Sequence, residues 1–366
     1  MEQTMKGNNA ALLLISSISM MGCNTSSTSN NTSSDTPVAD LPTTEIAFVT
    51  IPSNGKLAEF QISSTEVTYS DYVNFLNSAY SDGLITYDAN TQVVYDTNGI
   101  KMTELGGSRV VKDHNSDGIF SLDEMENPLN MNFIQFNETI QQFELEDPKE
   151  VDWQKYFDPN QYPNVVDSIT DWFELSGNSS GFFGEGDTDG ELPTLEEIGS
   201  WPANFITFYG AKAFADYYGY AIPSLAQWRE AASGGSSYTY ATSNGTSDDG
   251  IAWINQDAPL HVHKGHVQPA KSKEANPFGV YNMGGNVWEW VNDWYDGYDV
   301  FSQGKKTEDF FIDDSMTFAQ SEGVYLKGLI GGSFNYFPQT MRFDWNHAAK
   351  PNTGNDHFGF RVVKSN

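Results

Sequence analysis

Cysteine is nearly absent: Cys23 stands alone in 366 residues. No disulfide within the chain can form, and no cysteine-based zinc site can be assembled. Positive charge is scarce as well. Lys and Arg number 19 against 49 Asp and Glu, for a formal charge of −30. A phosphate backbone needs Lys and Arg, so nucleic acid is excluded as a partner. The acidic balance suits calcium, cationic partners or plain solubility. Several catalytic signatures are also missing. There is no GxxxxGK[ST] phosphate loop, no GxSxG nucleophile elbow and no HExxH. What the chain has in quantity is aromatic side chains, 14% of all residues, which supply a substantial core and exclude disorder of the whole chain.

One short apolar run, "NNAALLLISSISMMG", ends directly before Cys23, with Lys6 as a weak positive flank. It is too short to span a bilayer and reads as a signal-peptide core. Its Gly-Cys ending resembles a bacterial lipobox, with Met20 where Leu is usual. Residues 1–22 are therefore expected to be a signal peptide and Cys23 a lipidated residue. The alternative is an ordinary signal followed by an incidental cysteine. Asn24 rather than Asp follows the cysteine, which under an enterobacterial-type sorting rule points to the outer membrane. "NTSSTSNNTSSDTP" then runs from Asn24 to Pro37, small and polar throughout, so residues 23–43 read as anchor and flexible linker. The expected setting is the bacterial cell envelope, with the membrane met through the lipid.

A folded domain is expected over residues 44–366. Strand-like runs broken at Pro52 and Asn54-Gly55 signal a hairpin. In "TYSDYVNFLNSAY" the spacing of Tyr72, Phe75, Leu76 and Ala79 predicts a helix capped by Thr68 or Ser70. A second helix is predicted from Ala211, Phe214, Ala215 and Tyr218, closed by Gly219. A third begins at a capping box of Ser224 and Gln227. Between the first and second helices lies a stretch with few periodic runs. Over residues 113–200 its only Lys or Arg residues are Lys149 and Lys155, amid many Asp and Glu. Residues 81–200 are read as an acidic insertion.

The sharpest local motif sits in that insertion. "DHNSDGIFSLDE" places Asp113, Asn115 and Asp117 at positions 1, 3 and 5 of a calcium loop. Gly118 takes the sharp turn, Ile119 offers its carbonyl, Ser121 stands at position 9, and Glu124 supplies the late bidentate carboxylate. Alternating oxygens of this kind wrap a hard cation. "HVHKGH" brings together His261, His263 and His266, and the first and last members of its H-x-H pair would share one side of a strand.

"NPFGVYNMGGNVWEWVNDWYDG", Asn276 to Gly297, resembles the hallmark segment of the formylglycine-generating enzyme, or sulfatase-modifying factor, family. Other family landmarks follow in order. "FQISSTEVTYSDYVNFLN" is similar to its E-V-T opening, and "WPANFITFYGAKAFADYYG" to its helix, with Phe208 in place of Trp. "AIPSLAQWREAAS" is similar to R-L-P-T-E-A-E-W, with Ala221 in place of Arg, and "GGSFNY" and "HFGFRVV" to the closing segments. The resemblance covers roughly residues 44–80 and 201–364. It implies a loop-rich α+β fold related to C-type lectins, here with an acidic calcium-loop insertion. It also implies a structural calcium at the glycine-fixed turn, through Asn286 and Glu289.

The family's oxidase chemistry uses two cysteines that bind copper(I). Laid on this sequence, those positions are Tyr336 and Met341. Copper(I) prefers soft thiolates, and a phenol with one thioether does not replace them. Copper is therefore not expected as a cofactor, whereas structural calcium is. The iron-dependent sulfoxide-synthase relatives need an additional histidine-bearing domain for which the chain has no room. The resulting expectation is a non-catalytic domain that binds a glycan or a peptide, with groove candidates Trp288, Trp290, Asn335, Tyr336, Arg342 and Trp345. Two alternatives stand beside it: a formylglycine-type or histidine-based metal oxidase, and a structural envelope protein. The loop assignment predicts that Asp113→Ala with Glu124→Ala removes a rise in melting temperature caused by calcium at about 10⁻⁴–10⁻³ M, the range of extracellular modules. An unchanged rise in thermal scans would refute it.

Overall fold

In the computed structural model the described residues are 46–106, 131–148, 193–248, 250–254, 266–295, 311–312 and 326–364. Cys23, the Asp113–Glu124 loop, His261 and His263 lie outside them. The domain begins with a hairpin of β1 (Phe48–Ile51) and β2 (Phe60–Ser63). Gly55 supplies the positive φ that its connection requires. The last strand, β13 (Val363–Lys364), pairs antiparallel with β2 and completes this three-stranded sheet. Sequence-distant segments are thereby laid side by side early in the architecture.

Helix α1 (Tyr69–Ser81) follows at once. Thr68 is its cap, and Thr68 and Asp71 exchange the reciprocal bonds of a capping box. The predicted face, Tyr72, Phe75, Leu76 and Ala79, is buried. Next come β3 (Ile85–Asp88), β4 (Val93–Asp96) and β5 (Lys101–Glu104) as one antiparallel sheet, then a hairpin of β6 (Ile134–Asn137) and β7 (Gln142–Leu145). These strands lie within the stretch that reads from sequence as an insertion. Val94, Met102, Phe133, Ile134 and Phe143 nonetheless belong to the main core with α1. Four-residue strands are too short to show a period, which is why this region looks irregular in sequence.

Three further helices are α2 (Leu195–Gly199), α3 (Phe208–Tyr217) and α4 (Leu225–Ser233). The expected faces and caps of α3 and α4 are present. Ala211, Phe214, Ala215 and Tyr218 are buried, and Ser224 and Gln227 form the capping box. Gly219 carries a positive φ just beyond α3. The cap of α3, Thr207, also donates to the carbonyl oxygens of Lys101 and Met102, which fastens the helix to β5.

The central sheet has the order β11 (His347–Ala349), β10 (Leu326–Ile330), β8 (Trp288–Tyr295) and β12 (Phe358–Gly359), with β9 (Phe311–Ile312) also on β8. Side chains alternate across a strand, so this sheet divides the core in two. Trp288, Trp290, Leu329 and Phe358 join α1 and α3 in the larger cluster. Val291 and Ile330 join Trp228, Ile51, Phe60 and Ile62 in the smaller one. Among the described residues no helix is long and apolar enough to cross a membrane.

Close approach of α3 to β5 depends on Gly210. A Cβ there would overlap the Met102 carbonyl oxygen and crowd the Tyr72 hydroxyl. Overpacking of a core costs about 1–3 kcal/mol. Gly210→Ala is therefore expected to lower unfolding stability by about that amount in denaturant titrations, despite the better helix propensity of alanine.

Candidate functional site

The Gly-Gly-Asn turn before β8 is the structural hub. Gly285 and Asn286 both adopt positive φ, at 82° and 64°. A Cβ on Gly285 would overlap the carbonyl of Trp253, so the turn needs glycine there. Its backbone docks on the Gly-Gly-Ser segment: Gly285 N–H donates to Gly331 O at 2.8 Å, and Phe334 N–H donates to Asn286 O at 2.9 Å. Two motifs far apart in sequence thus form one wall.

Behind the turn lies a fully buried polar cluster. Glu289 receives two bonds from Arg361, Nε at 2.6 Å and Nη2 at 2.7 Å, and a third from Trp228 Nε1 at 2.7 Å. Arg361 also donates from Nη1 to Ser63 O and from Nη2 to Tyr281 O. Both oxygens of Glu289 are thus held by a cation and an indole. The Asn286 amide is directed elsewhere. It donates to Glu66 Oε1 at 3.0 Å and to Gln268 O at 3.1 Å, and accepts from Gln268 N–H at 2.9 Å. The two residues that the family resemblance pairs at a calcium therefore face different partners.

Glu66 is a buried carboxyl group beside this cluster. It is 1% exposed and forms no ion pair among the described residues. Burial raises its pKa to about 8; Arg361 nearby opposes the rise and Glu289 adds to it. Asn282 Nδ2 reaches Glu66 Oε2 at 3.4 Å and Ala270 O at 3.1 Å. One buried carboxylate, an amide that can turn its oxygen inward, and the carbonyls of Gln268 and Ala270 form an oxygen set that fits a hard cation. Asn286 borders the same set. Among the described residues, no three His, Cys, Asp or Glu side chains gather at metal-binding spacing. Sequence reasoning passed over Glu66, although it stands in the matched "TEVT" segment.

On the other side of the turn lies the aromatic wall. Tyr336 is half-buried, edge-on to Trp288 at 5.4 Å between ring centroids and 5.4 Å from His357. Phe337 meets Trp345 edge-on at 5.6 Å. A short 3₁₀ turn, Pro338–Met341, carries Met341 into the core with no exposure. The two positions that the family resemblance assigns to thiols thus hold a phenol and a buried thioether, a donor pair that does not fit copper(I). Of the six groove candidates, Tyr336, Arg342 and Trp345 reach the surface. Trp288, Trp290 and Asn335 are fully buried, and Trp290 gives its indole N–H to Ile206 O. Arg342 is closed by a bidentate bond to Asp344 at 2.8 Å.

A chain of buried polar groups backs this wall. Ser333 Oγ donates to Asn335 Oδ1 at 2.8 Å. His357 Nδ1 meets Asp356 Oδ1 at 2.6 Å, and its Nε2 meets the Asn355 amide at 3.2 Å. That arrangement fixes the imidazole ring beside Tyr336. His266 is buried too, with Nδ1 on Val267 O at 2.7 Å and its ring 4.8 Å from Trp201. Several buried side-chain atoms break the pattern of satisfied hydrogen bonds, among them Tyr72 Oη, Trp288 Nε1 and both amide atoms of Asn346. Each such group costs about 1–3 kcal/mol.

A mixed-sheet α+β core organised around a Gly-Gly-Asn turn, with Trp-Glu-Trp opening its central strand, defines the class. The chain belongs to the sulfatase-modifying factor family: residues 43–366 match its "Sulfatase-modifying factor enzyme 1-like domain". The fold is the loop-rich α+β fold of that family. A serine/threonine-protein kinase, Pkn1, of Chlamydia trachomatis is 30% identical over 164 residues, 44% of this chain and 24% of that protein. The formylglycine-generating enzyme of Streptomyces coelicolor is 35% identical over 102 residues, 26% of this chain and 32% of the enzyme. The chaperone protein LppX of Paenibacillus barcinonensis is 33% identical over 90 residues, 21% of this chain and 32% of that protein. The matches thus span about a quarter to a third of these relatives. Among solved structures, CarF aligns over 89% of this chain and 95% of its own, at 17% identity and a TM-score of 0.37.

The state of Glu66 generates a pH test. Its folded pKa lies above the ordinary value of 4.5, so the native state holds a proton that the unfolded chain releases. In chelator, stability is therefore expected to be highest below pH 4.5 as far as this group is concerned, and to fall as pH rises towards about 8. Denaturant midpoints across that window should lose this slope in Glu66→Gln.

Proposed function

We propose that this chain is a lipid-anchored protein of the bacterial cell envelope whose sulfatase-modifying-factor domain binds a glycan or a peptide without turning it over. The observation that carries the reading is the pair of residues at the thiol positions. Tyr336 stands against Trp288, and Met341 is sealed in the core. Neither supplies the soft thiolate that copper(I) requires. The surrounding wall is aromatic, with Tyr336, Phe337 and Trp345 partly exposed, the composition of a recognition surface. Relatives named as a kinase and as a chaperone carry matching segments, which supports use of this domain outside oxidase chemistry.

Calcium is the cofactor in this reading. One ion belongs to Asp113, Asn115, Asp117, Ile119, Ser121 and Glu124, and a second to the oxygen set of Glu66 and Asn282 beside Asn286. Cys23, following an apolar run and preceding a polar linker, supports the lipid anchor and the envelope location. The second ion would neutralise Glu66, a buried carboxylate with no ion pair among the described residues, so it would act on stability rather than on chemistry.

The purified protein, supplied with copper(I), dioxygen and a cysteine-bearing sulfatase peptide, is expected to consume no oxygen. Run beside this assay, a calcium-supplemented screen of glycans and peptides should return a ligand whose binding weakens about tenfold or more in Trp345→Ala. Copper-dependent oxygen uptake would establish an oxidase instead. A screen without any ligand would favour a structural envelope role.

A further inference from the structure

The end of α1 meets the hairpin of β6 and β7 in a cluster of partly exposed rings. Phe136 is its centre. Tyr87 lies over it at 4.7 Å between ring centroids, inclined by 34°, and Tyr80 meets it edge-on at 5.3 Å. Tyr80 also donates through its hydroxyl to Gln141 Oε1 at 3.3 Å, which ties the helix to the hairpin turn. Ile140 stands next to Gln141 in that turn. It is 53% exposed, the highest value for a large apolar side chain among the described residues. Acid rims the rings. Burial raises the Tyr87 pKa, and the charges of Glu138 and Asp88 raise it further, so both carboxylates lie near its hydroxyl. Over the described residues 80–106 and 131–148 the one Lys or Arg is Lys101, and Glu104 engages it. Among the described residues none of these rings meets Tyr336, Phe337 or Trp345, so this is a second face.

We propose that this face docks a basic segment of a partner protein, with Arg or Lys set over Tyr87 and Phe136 and an aliphatic side chain against Ile140. The inference does not rest on the binding reading above, which concerns the other wall. Exposed apolar surface rimmed by polar groups marks an interaction site. The charge of the rim selects the occupant. A cation over an aromatic face is attracted by the ring quadrupole, and Asp88 and Glu138 add attraction for the same cation. Asp88 is ionised: hydrogen bonds, that of the Asn90 N–H first, hold its carboxyl below the usual carboxylate range. Anionic lipid and phosphate-bearing ligands meet repulsion from the same carboxylates. Residues 107–130 and 149–192 of this chain hold more Asp and Glu than Lys and Arg, so charge does not favour either as the occupant. A bare metal ion is a poorer match as well, since among the described residues no three His, Cys, Asp or Glu gather to hold one.

The test titrates the purified full chain into a labelled short peptide that alternates Arg and Leu, and into its counterpart with Glu for Arg. Fluorescence anisotropy reads binding. The Arg peptide is expected to bind and the Glu peptide to stay free. Ile140→Ser should weaken the Arg peptide about tenfold, the worth of one buried aliphatic side chain. Tyr87→Leu keeps an apolar contact with Phe136 but removes the aromatic face, and should weaken it about threefold. Glu138→Gln should weaken it about twofold or more. Glu274→Gln is the control for general attraction to an acidic chain. Glu274 is exposed and lines a pocket with Ala241 and Met283 instead, so its loss should leave the affinity unchanged. The proposal is overturned if the Arg peptide does not bind, if the Glu peptide binds as tightly, or if Ile140→Ser and Tyr87→Leu bind undiminished. An equal loss in Glu274→Gln and Glu138→Gln overturns it too, by showing attraction to net charge alone. A lowered melting temperature in Ile140→Ser overturns it by marking a patch that the chain itself covers. Co-sedimentation with anionic phospholipid vesicles that Ile140→Ser weakens overturns it by marking a membrane face.

Discussion

The buried pair of Glu289 and Arg361 is the interaction on which the arrangement depends. Both side chains are out of water, 1% and 0% exposed, and they are 72 residues apart. Breaking such a pair by removing one partner costs about 3–5 kcal/mol, because the survivor is left charged and dry. Arg361 does more than balance Glu289. Its other donors hold Ser63 and Tyr281, so one guanidinium joins the first sheet, the turn before β8 and the central strand. Trp228 adds α4 through its indole bond to the same carboxylate. The Gly-Gly-Asn turn and the Gly-Gly-Ser segment are held face to face by this cluster behind them.

That mechanical role is separate from the aromatic wall. The buried cluster lies behind the wall and uses neither residue 336 nor residue 341. Tyr336 and Met341 make no contact with the Glu289–Arg361 bonds, and the wall in front is aromatic. The neighbouring polar chain from Ser333 to Asp356 is likewise independent of thiols. Family membership therefore specifies the fold without specifying the chemistry.

Much of the local structure was legible in the sequence. Capping residues and 3.6-residue spacing identified α1, α3 and α4, because these signals lie within a few residues of one another. The motif order identified the family. The strands β3–β7 were not legible, since four-residue strands leave no measurable period. The site was legible only in part. Asn286 and Glu289 stood out as a spaced pair, but the partner of Glu289 lies far along the chain, and a single sequence carries no signal of such a pairing. Glu66 looked like one acid among 49, and only burial distinguishes it. Asn346 followed the same logic: an asparagine between Trp and His has no meaning until its exposure and missing partners are known.

The pairing of β13 with β2 has a consequence for the history of each molecule. The first sheet gains its third strand only from residues 363–364, and the N–H groups of Ser63 and Val67 donate to the carbonyl oxygens of Val362 and Phe360. Arg361, the clamp of the interior, arrives with that same strand. A growing polypeptide therefore cannot close this domain until residues 360–364 have been synthesised, and contacts of such long range form slowly. The geometry that locks the finished protein also delays the lock.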